Sequence, residues 1–217
     1  MQALNSDSIF VLGERVNHFI FSQHGADVYL LPTSQISFED LKQQLPETLV
    51  SVALSRFKSS QRQFEFLAVR LLLRAVCGEA AQIAYYPTGR PYLYDTPKRY
   101  ISISHTNGFV AIALSGKDVG LDIELLSNRQ LRLRQRFMSD EEWQQALQLL
   151  QPKVAAAIGW SAKEALYKLV DVPGTDLLEG LACEWVSEQL LRDAKHQNEV
   201  YIKMLNDLVI AVAFHSD

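Results

Sequence analysis

The chain has 217 residues, of which 48% are hydrophobic and 21% are charged, and its formal net charge is −4. This composition is typical of a globular protein with one domain or two small ones, and its acidic balance argues against a general nucleic-acid binder. No segment approaches the ~20 apolar residues needed to span a bilayer. Charged and glycine residues also interrupt the N-terminal stretch where a secretory leader would be apolar. We therefore expect a monomeric, cytoplasmic protein with no membrane or nucleic-acid partner.

The chain contains two cysteines, Cys77 and Cys183, which are far apart in the sequence. They do not have the spacing of metal ligands, so we expect both to be buried, reduced thiols.

The first part of the chain predicts short strands followed by a helix. Apolar runs indicate strands at Ile9–Leu12, Phe19–Phe21 and Val28–Leu31. Residues Ser37–Gln44 are then predicted as a short helix, with Ser37 as its N-cap and acidic residues in its first turn.

A longer helix is predicted from Ser59 or Ser60 to about Val76, with a glycine two positions beyond its end. Within it, Arg70 and Arg74 are four residues apart and lie on one face. Two like charges at this spacing cost roughly a few tenths of a kcal/mol unless an anion lies between them. The pair therefore fits either an anion site or two solvated arginines.

The next segment predicts a turn and a β-hairpin. The turn Pro87–Pro91 presents the cation of Arg90. Antiparallel strands are predicted at Tyr100–Ser104 and Val110–Leu114, joined through Thr106–Gly108.

Ser104 and His105 are adjacent at the end of the first hairpin strand. Because neighbouring strand residues point to opposite faces, the pair does not form the nucleophile–base contact of a serine hydrolase. The sequence also contains no G-x-S-x-G motif. His105 either donates a hydrogen bond to a phosphate or caps the turn.

Residues Val119–Glu124 alternate apolar and acidic side chains, as in a half-buried strand. Asp122 and Glu124 then share one face, and Leu121 and Ile123 share the other. The acidic face is either a solvated surface or a source of metal ligands.

An arginine-rich run follows the acidic strand; its members are Arg129, Arg132, Arg134 and Arg136. In an acidic chain this run is either a docking patch for an acidic partner or a solvated loop. Ser139 and Glu142 then have the spacing of a capping box at the start of a helix.

A helix is predicted over residues 153–170, ended by Pro173 and Gly174. One side is apolar and consists of Ile158, Ala162, Ala165 and Leu169. The opposite side carries Trp160, Glu164, Tyr167 and Lys168. Glu164 and Lys168 fit a surface ion pair, but two large aromatic side chains are unusual on a solvated face.

The last third predicts strands at Leu181–Val186, Val200–Leu205 and Leu208–Phe214. Both halves then run strand, helix, long helix, strand, hairpin. We infer a pseudo-duplication with halves at 1–117 and 118–217 and a site in the cleft between them.

If the helix crosses the acidic strand, the carboxylates of Asp122, Glu124 and Glu164 converge with the ammonium of Lys168. Hard oxygen ligands of this kind suit Mg²⁺ carrying a diphosphate. The conjunction therefore predicts a magnesium site beside a phosphate-bearing substrate.

Five motifs in this order resemble those of the Sfp-type 4′-phosphopantetheinyl transferases. They are Gly89–Pro91, Ile103–Thr106, Val119–Glu124, Phe137–Ser139 with Glu142, and Trp160–Glu164 with Lys168. Residues 64–70 also resemble that family's first long helix, so the likeness extends from about residue 56 to 170.

The resemblance implies an α+β pseudodimer of two similar halves. It also implies Mg²⁺-dependent transfer of the 4′-phosphopantetheine arm of coenzyme A to a serine of an apo acyl or peptidyl carrier protein, with release of adenosine 3′,5′-bisphosphate. On the same basis Asp122, Glu124 and Glu164 hold the metal. The contacts to the 3′-phosphoadenosine end come from Arg90, Ser104 and His105, and one or both of Arg70 and Arg74 bind a phosphate.

The implied chemistry agrees with the residue types. Lys168 would stabilise the leaving phosphate as a point charge, and Glu164, or a metal-bound water beside it, is the candidate general base for the carrier serine. Arg90 replaces the commoner lysine, Thr106 replaces the usual serine, and residues 1–55 match little. Carriers of the fatty-acid, polyketide, nonribosomal-peptide and aminoadipate pathways all stay open. So do two rivals, a Mg²⁺-dependent hydrolase of coenzyme A or nucleotide diphosphates and a non-catalytic coenzyme A-binding protein.

Overall fold

The computed structural model of the protein describes residues 8–11, 14–17, 19–94, 99–193 and 197–216. In the first half the strands are β1 (Ser8–Val11), β2 (Glu14–Asn17), β3 (Phe19–Gln23), β4 (Ala26–Pro32), β5 (Ile83–Tyr85), β6 (Pro91–Leu93), β7 (Tyr100–Thr106) and β8 (Phe109–Ser115). The helices between β4 and β5 are α1 (Phe38–Gln44), α2 (Glu47–Arg56) and α3 (Ser60–Cys77). The first predicted strand thus occurs at Ser8–Val11, and Leu12 lies outside the described residues.

The second half begins with β9 (Gly120–Leu125) and continues through three helices and four strands. The helices are α4 (Asn128–Leu133), α5 (Asp140–Leu149) and α6 (Pro152–Val170), and a 3₁₀ turn at Arg134–Arg136 separates the first two. The strands are β10 (Cys183–Ser187), β11 (Leu190–Asp193), β12 (Asn198–Leu205) and β13 (Leu208–His215).

Two antiparallel sheets form the centre of the molecule. One has the strand order β3-β4-β8-β7, and the other has the order β10-β11-β12-β13-β9. The long helix α3 packs against the first sheet and α6 against the second. This segregation of helices and antiparallel sheets confirms the predicted α+β class.

The order β4-β8-β7 in the first sheet matches β9-β13-β12 in the second, and a long helix precedes the last two strands in both cases. This correspondence agrees with an internal duplication, which we retain as a proposal together with the boundary between residues 117 and 118.

A shared core of buried side chains joins the two sheets, with β4 and β8 on one side and β9 and β13 on the other. It consists of Phe21, Ala26, Val28, Leu30, Ala111, Ala113, Val119, Leu121, Ile123, Leu208, Ile210, Val212 and Phe214. The apolar face predicted for β9 therefore points into this core, and its acidic face points toward α6.

Helix α6 lies unusually close to the start of β9. A Cβ atom at Gly120 would stand 1.9 Å from the carbonyl oxygen of Ala165, which is a steric clash. Only glycine, which has no Cβ, fits at this position. This close approach brings the polar side of α6 over the acidic face of β9.

Local capping follows the sequence closely. The side chains of Ser37 and Ser139 complete capping boxes, with Asp40 and Glu142 respectively, and Ser59 caps α3. The glycine that follows α3 adopts a positive φ of 93°.

The short helices α2 and α4 were not predicted. Residues Glu47–Arg56 contain β-branched side chains with modest helix propensity, and α2 is held by burying Val50 and Ala53 on one face. The arginine-rich run, for which a solvated loop was one interpretation, forms α4 and the 3₁₀ turn.

The cysteine prediction is partly wrong. Both cysteines are free thiols, but only Cys183 is buried, whereas Cys77 is half-buried at the end of α3. None of the helices in the described ranges is both long and apolar enough to cross a membrane.

Candidate active site

Strand β9 supplies two acidic side chains to the site. Asp122 is buried and Glu124 is half-buried, and both lie on the strand face opposite Leu121 and Ile123. Because the strand alternates, the same residues that anchor it in the core present the carboxylates to α6.

The polar side of helix α6 faces these carboxylates. Lys168 Nζ lies 2.9 Å from Asp122 Oδ1 and donates to the carbonyl oxygen of Leu121 at 2.8 Å. The indole N–H of Trp160 donates to Glu124 Oε1 at 3.1 Å, and its ring packs edge-on against Phe137 with centroids 5.1 Å apart. Trp160 therefore orients the carboxylate of Glu124. Lys168, for which a surface ion pair with Glu164 was one interpretation, instead contacts the buried Asp122.

The carboxylates of the site influence one another. Burial and then the negative charge of Asp122 raise the pKa of Glu124 to about 7. The same two causes, in the same order, raise the pKa of Glu164, which the charge of Lys168 partly offsets. Asp122, Glu124 and Glu164 thus share one region of concentrated negative charge.

The donor set suits a hard divalent cation. Asp122 Oδ2 is buried and has no hydrogen-bond partner among the described residues. Within those same residues, no three His, Cys, Asp or Glu side chains are already arranged as a metal site. Carboxyl groups whose pKa is raised by burial and then by a neighbouring carboxylate are nevertheless groups that Mg²⁺ binds, and the ion relieves their repulsion. The residues therefore fit the ion in chemistry.

With divalent cations chelated, we expect the melting temperature to fall as the pH rises from about 4.5 to about 7 through the contribution of Glu124. A carboxyl whose folded-state pKa is raised holds its proton more tightly in the folded state. Its stabilising contribution is complete below the unfolded pKa and is lost as the pH passes through the folded pKa.

The control for this pH dependence is Glu124→Gln, which stays neutral. The difference in melting temperature between wild type and variant should change over that pH range, and added Mg²⁺ should recover the loss near neutral pH. A difference that stays constant with pH would contradict the proposed environment of Glu124.

A cavity of about 360 Å³ opens beside Lys168, with walls from α3, the β5–β6 turn and β7 in the first half and from Val119, just before β9, and α6 in the second. Its cationic lining includes Arg62, Arg70, Arg90 and Lys168, with His105 beside them, and its aromatic lining includes Phe57, Phe66 and Tyr85. This volume is typical of small-molecule sites, and the positive lining favours an anionic ligand.

The two arginines predicted to share a face of α3 have different surroundings. Arg70 is buried, stacks on the Phe66 ring at 3.2 Å from its centroid, and donates to the Tyr85 hydroxyl at 3.3 Å. Arg74 donates instead to the carbonyl oxygen of Glu79 and pairs with its carboxylate at 3.8 Å. Arg70 reaches the cavity, and Arg74 is held outside its wall.

Arg90 lies at the cavity on the β5–β6 turn, where Gly89 adopts a φ of 92°. Its guanidinium pairs with Asp118, just before β9. The adjacent Thr88 donates to the carboxylate of Asp171 at the end of α6, 3.2 Å away. The turn therefore touches both parts of the second half that form the cavity.

His105 and Ser104 point in opposite directions, as predicted. His105 lines the cavity, where Arg62 Nη1 lies 3.0 Å from its Nε2. Because a guanidinium only donates, Nε2 accepts and the ring proton lies on Nδ1. Burial lowers the pKa of His105, which favours the neutral ring.

Ser104 is buried on the other side of β7. Its hydroxyl donates to Asp122 Oδ1 at 2.9 Å. This hydroxyl thus contacts a carboxylate of the site, and its contact with the 3′-phosphoadenosine end stays a prediction.

Arg62 and Glu65 were overlooked in the sequence. Arg62 stands at i−8 from Arg70, so extending the arginine stripe back along α3 would have found it. Glu65 lies 3.5 Å from the ring of His105, and the sequence carries no local sign of that contact.

Residues 118–213 match the family model of the 4′-phosphopantetheinyl transferase superfamily. The 4′-phosphopantetheinyl transferase psf-1 of Bacillus pumilus is 32% identical to the chain over 83 residues. That match covers 37% of this chain and 36% of the relative, so the chain aligns with little more than a third of the relative's length. These matches confirm the resemblance drawn from the motifs, and the matched region includes Asp122, Glu124, Glu164 and Lys168.

Proposed function

We propose that this protein transfers the phosphopantetheine arm of coenzyme A to a serine of an apo carrier protein, because residues 118–213 match the family model of the 4′-phosphopantetheinyl transferase superfamily. Adenosine 3′,5′-bisphosphate is the second product. The observation that carries the proposal is the position of Lys168, which contacts Asp122 on one side and lines the cationic cavity on the other.

Coenzyme A is an elongated ligand with one phosphate on its ribose and a diphosphate in its middle. In the proposed binding mode the 3′-phosphoadenosine end lies in the cavity, near Arg70, Arg90 and His105. The buried Arg70 is held by Phe66 and Tyr85, so its guanidinium is already ordered before a phosphate binds. The diphosphate then lies toward Lys168 and the acidic cluster.

Magnesium would be held by Asp122, Glu124 and Glu164. When bound, it supplies positive charge against the diphosphate oxygens and suits ligands made only of oxygen. The unpartnered Asp122 Oδ2 and the raised pKa values of Glu124 and Glu164 support this assignment.

The chain's own residues would position the reactants and move one proton. Lys168 Nζ donates to an oxygen of the leaving phosphate as negative charge develops there. Glu164 accepts the proton of the attacking serine hydroxyl, a role that its raised pKa favours because a more basic carboxylate is the better proton acceptor. Trp160 keeps Glu124 oriented through its indole N–H. Positioning and electrostatics supply most of the rate in phosphoryl-type displacements.

The arginine-rich run is proposed to dock an acidic carrier protein. Arg129, Arg132 and Arg136 are exposed, and Arg129 is close enough to Glu124 to lower its pKa. Arg134 differs, because it pairs with Asp140 at 2.7 Å and lies over the Trp143 ring. The exposed patch thus consists of Arg129, Arg132 and Arg136.

We expect the double substitution Arg132→Ala with Arg136→Ala to raise KM for the carrier by roughly three- to tenfold, because exposed charges mainly steer association. KM for coenzyme A should not change. Arg134→Ala is the matched control, with lower stability and an unchanged KM for the carrier. Equal increases in KM for both substrates would argue against a docking patch.

The proposal is tested by incubating the protein with coenzyme A, Mg²⁺ and a panel of apo carrier proteins, and then weighing all products by mass spectrometry. Transfer adds one phosphopantetheinyl group of about 340 Da to the carrier, a mass that follows from the formula of the group. Loss of coenzyme A without a heavier carrier would indicate a hydrolase, and retention of intact coenzyme A alone would indicate a binding protein. Either result would overturn the proposed transfer.

A further inference from the structure

Strands β7 and β9 run side by side at the junction of the two sheets, and serine hydroxyls join them. The side chains of Ser102 and Ser104 accept hydrogen bonds from the backbone N–H groups of Leu121 and Ile123, at 2.9 Å and 3.1 Å. Both serines are buried, at 4% and 5% exposure. Because they are two residues apart on a strand, they point the same way and form one seam.

The two serines differ in one respect. Ser104 also donates its hydroxyl proton to Asp122 Oδ1 at 2.9 Å. A serine hydroxyl has one donor and two acceptor positions, so it can serve the backbone amide and the carboxylate together. Ser102 meets only the backbone amide among its described hydrogen bonds.

The two oxygens of Asp122 are therefore unequal. Oδ1 receives Ser104 Oγ and Lys168 Nζ, both at 2.9 Å, from the two halves of the molecule. Oδ2 is buried and has no partner in the part of the chain that the structure describes. Two donors on one oxygen fix the rotation of the carboxylate about the Cβ–Cγ bond of Asp122. The second oxygen is then left for a ligand.

We infer that Ser104 is a positioning residue that sets the Asp122 carboxylate for a divalent cation, an inference that rests on the metal site of the proposed function. Hydrogen bonds that orient a ligating carboxylate typically change metal affinity by about ten- to a hundredfold when they are removed. Ser104 thereby links β7 of the first half to the ligands carried by the second half. The contact with the 3′-phosphoadenosine end that the resemblance implies for Ser104 is the rival role that the test distinguishes.

The test measures Mn²⁺ binding by isothermal titration in the presence of coenzyme A and without carrier protein, so that no turnover is needed. Ser104→Ala removes the hydroxyl that serves Ile123 N–H and Asp122, and Ser102→Ala removes the one that serves Leu121 N–H. Each variant leaves one buried amide unpaired, so both should lose a similar amount of stability against urea. Only Ser104→Ala should bind Mn²⁺ more weakly, by about tenfold or more.

Wild-type affinity for Mn²⁺ in Ser104→Ala would overturn the inference, and so would equal weakening in both variants. A higher Kd for coenzyme A in Ser104→Ala, with unchanged Mn²⁺ affinity, would overturn it too and would support a contact of Ser104 with the 3′-phosphoadenosine end instead. If Ser104→Ala does not fold, Ser104→Cys replaces it, since a thiol of similar size is a weak donor. It should weaken Mn²⁺ binding in the same direction, and unchanged binding overturns the inference.

The outcome is separate from that of the transfer assay. Weakened Mn²⁺ binding in Ser104→Ala together with no transfer by the wild type would refute the proposed function and retain the role of Ser104. Normal transfer by the wild type, together with unchanged Mn²⁺ binding in Ser104→Ala, would retain the proposed function and refute the role of Ser104. A wild-type protein that binds no Mn²⁺ would overturn both the metal site and the inference.

Discussion

Asp122→Asn is expected to lower kcat for phosphopantetheine transfer by about a thousandfold or more, because it removes the charge of the most buried acidic group at the site. The asparagine oxygen still accepts from Ser104 and Lys168, so the local hydrogen bonds and the fold should persist. The measurement is single-turnover transfer with coenzyme A and carrier protein both saturating, accompanied by circular dichroism to verify folding.

The matched control for this substitution is Asp207→Asn, at an exposed position in the turn between β12 and β13. It makes the same chemical change in the same sheet and should leave kcat as in the wild type. If Asp122→Asn transferred within about tenfold of the wild-type rate, with the same dependence on Mg²⁺, the acidic cluster would not be the source of the catalysis.

Lys168→Met is expected to lower kcat and kcat/KM for coenzyme A by a similar factor of about a hundred or more. An interaction made only in the transition state affects both quantities alike, as predicted for a cation that stabilises the leaving phosphate. The methionine keeps the long stem of the side chain, so packing on α6 should be retained.

Lys153→Met, at an exposed position in the first turn of the same helix, is the control for this loss and should have wild-type kinetics. An increase in KM for coenzyme A with kcat unchanged would show that Lys168 only binds the substrate. That result would remove it from the chemical step while leaving the metal site in place.

Periodicity explains why much of the site was visible in the sequence. Alternation along β9 separates Asp122 and Glu124 from Leu121 and Ile123, and it holds in the structure because one face of the strand is buried between the sheets. The 3.6-residue period of α6 likewise separates its apolar and polar sides. A pattern of burial is a property of a single element, so one sequence suffices to predict it.

The partner of each polar atom was not visible, because it depends on elements distant in sequence. Arg70 and Arg74 carry the same charge on the same face of α3. In the structure Arg70 donates a hydrogen bond to the Tyr85 hydroxyl, whereas Arg74 pairs with the carboxylate of Glu79. Ser104 and Asp122 lie on different sheets, and only the docking of β7 against β9 brings them into contact. Helix α2 was missed for a related reason, since its helical state depends on tertiary burial of Val50 and Ala53.

The junction of the halves has a direct consequence for the site. Gly120 permits α6 to lie on β9, Ser104 joins β7 to Asp122, and Thr88 joins the cavity turn to the end of α6. The cavity therefore takes its walls from both halves, whereas the three carboxylates and Lys168 all lie in the second half. We propose that the complete site, with the cavity and the carboxylates together, needs both halves.

The most direct measurement is a crystal structure of the wild-type protein with Mn²⁺ and coenzyme A, with the metal located by its anomalous scattering. The account predicts one strong peak contacted by the carboxylates of Asp122, Glu124 and Glu164 and by the diphosphate of coenzyme A. A peak elsewhere, or coenzyme A bound with its diphosphate remote from those three side chains, would contradict it.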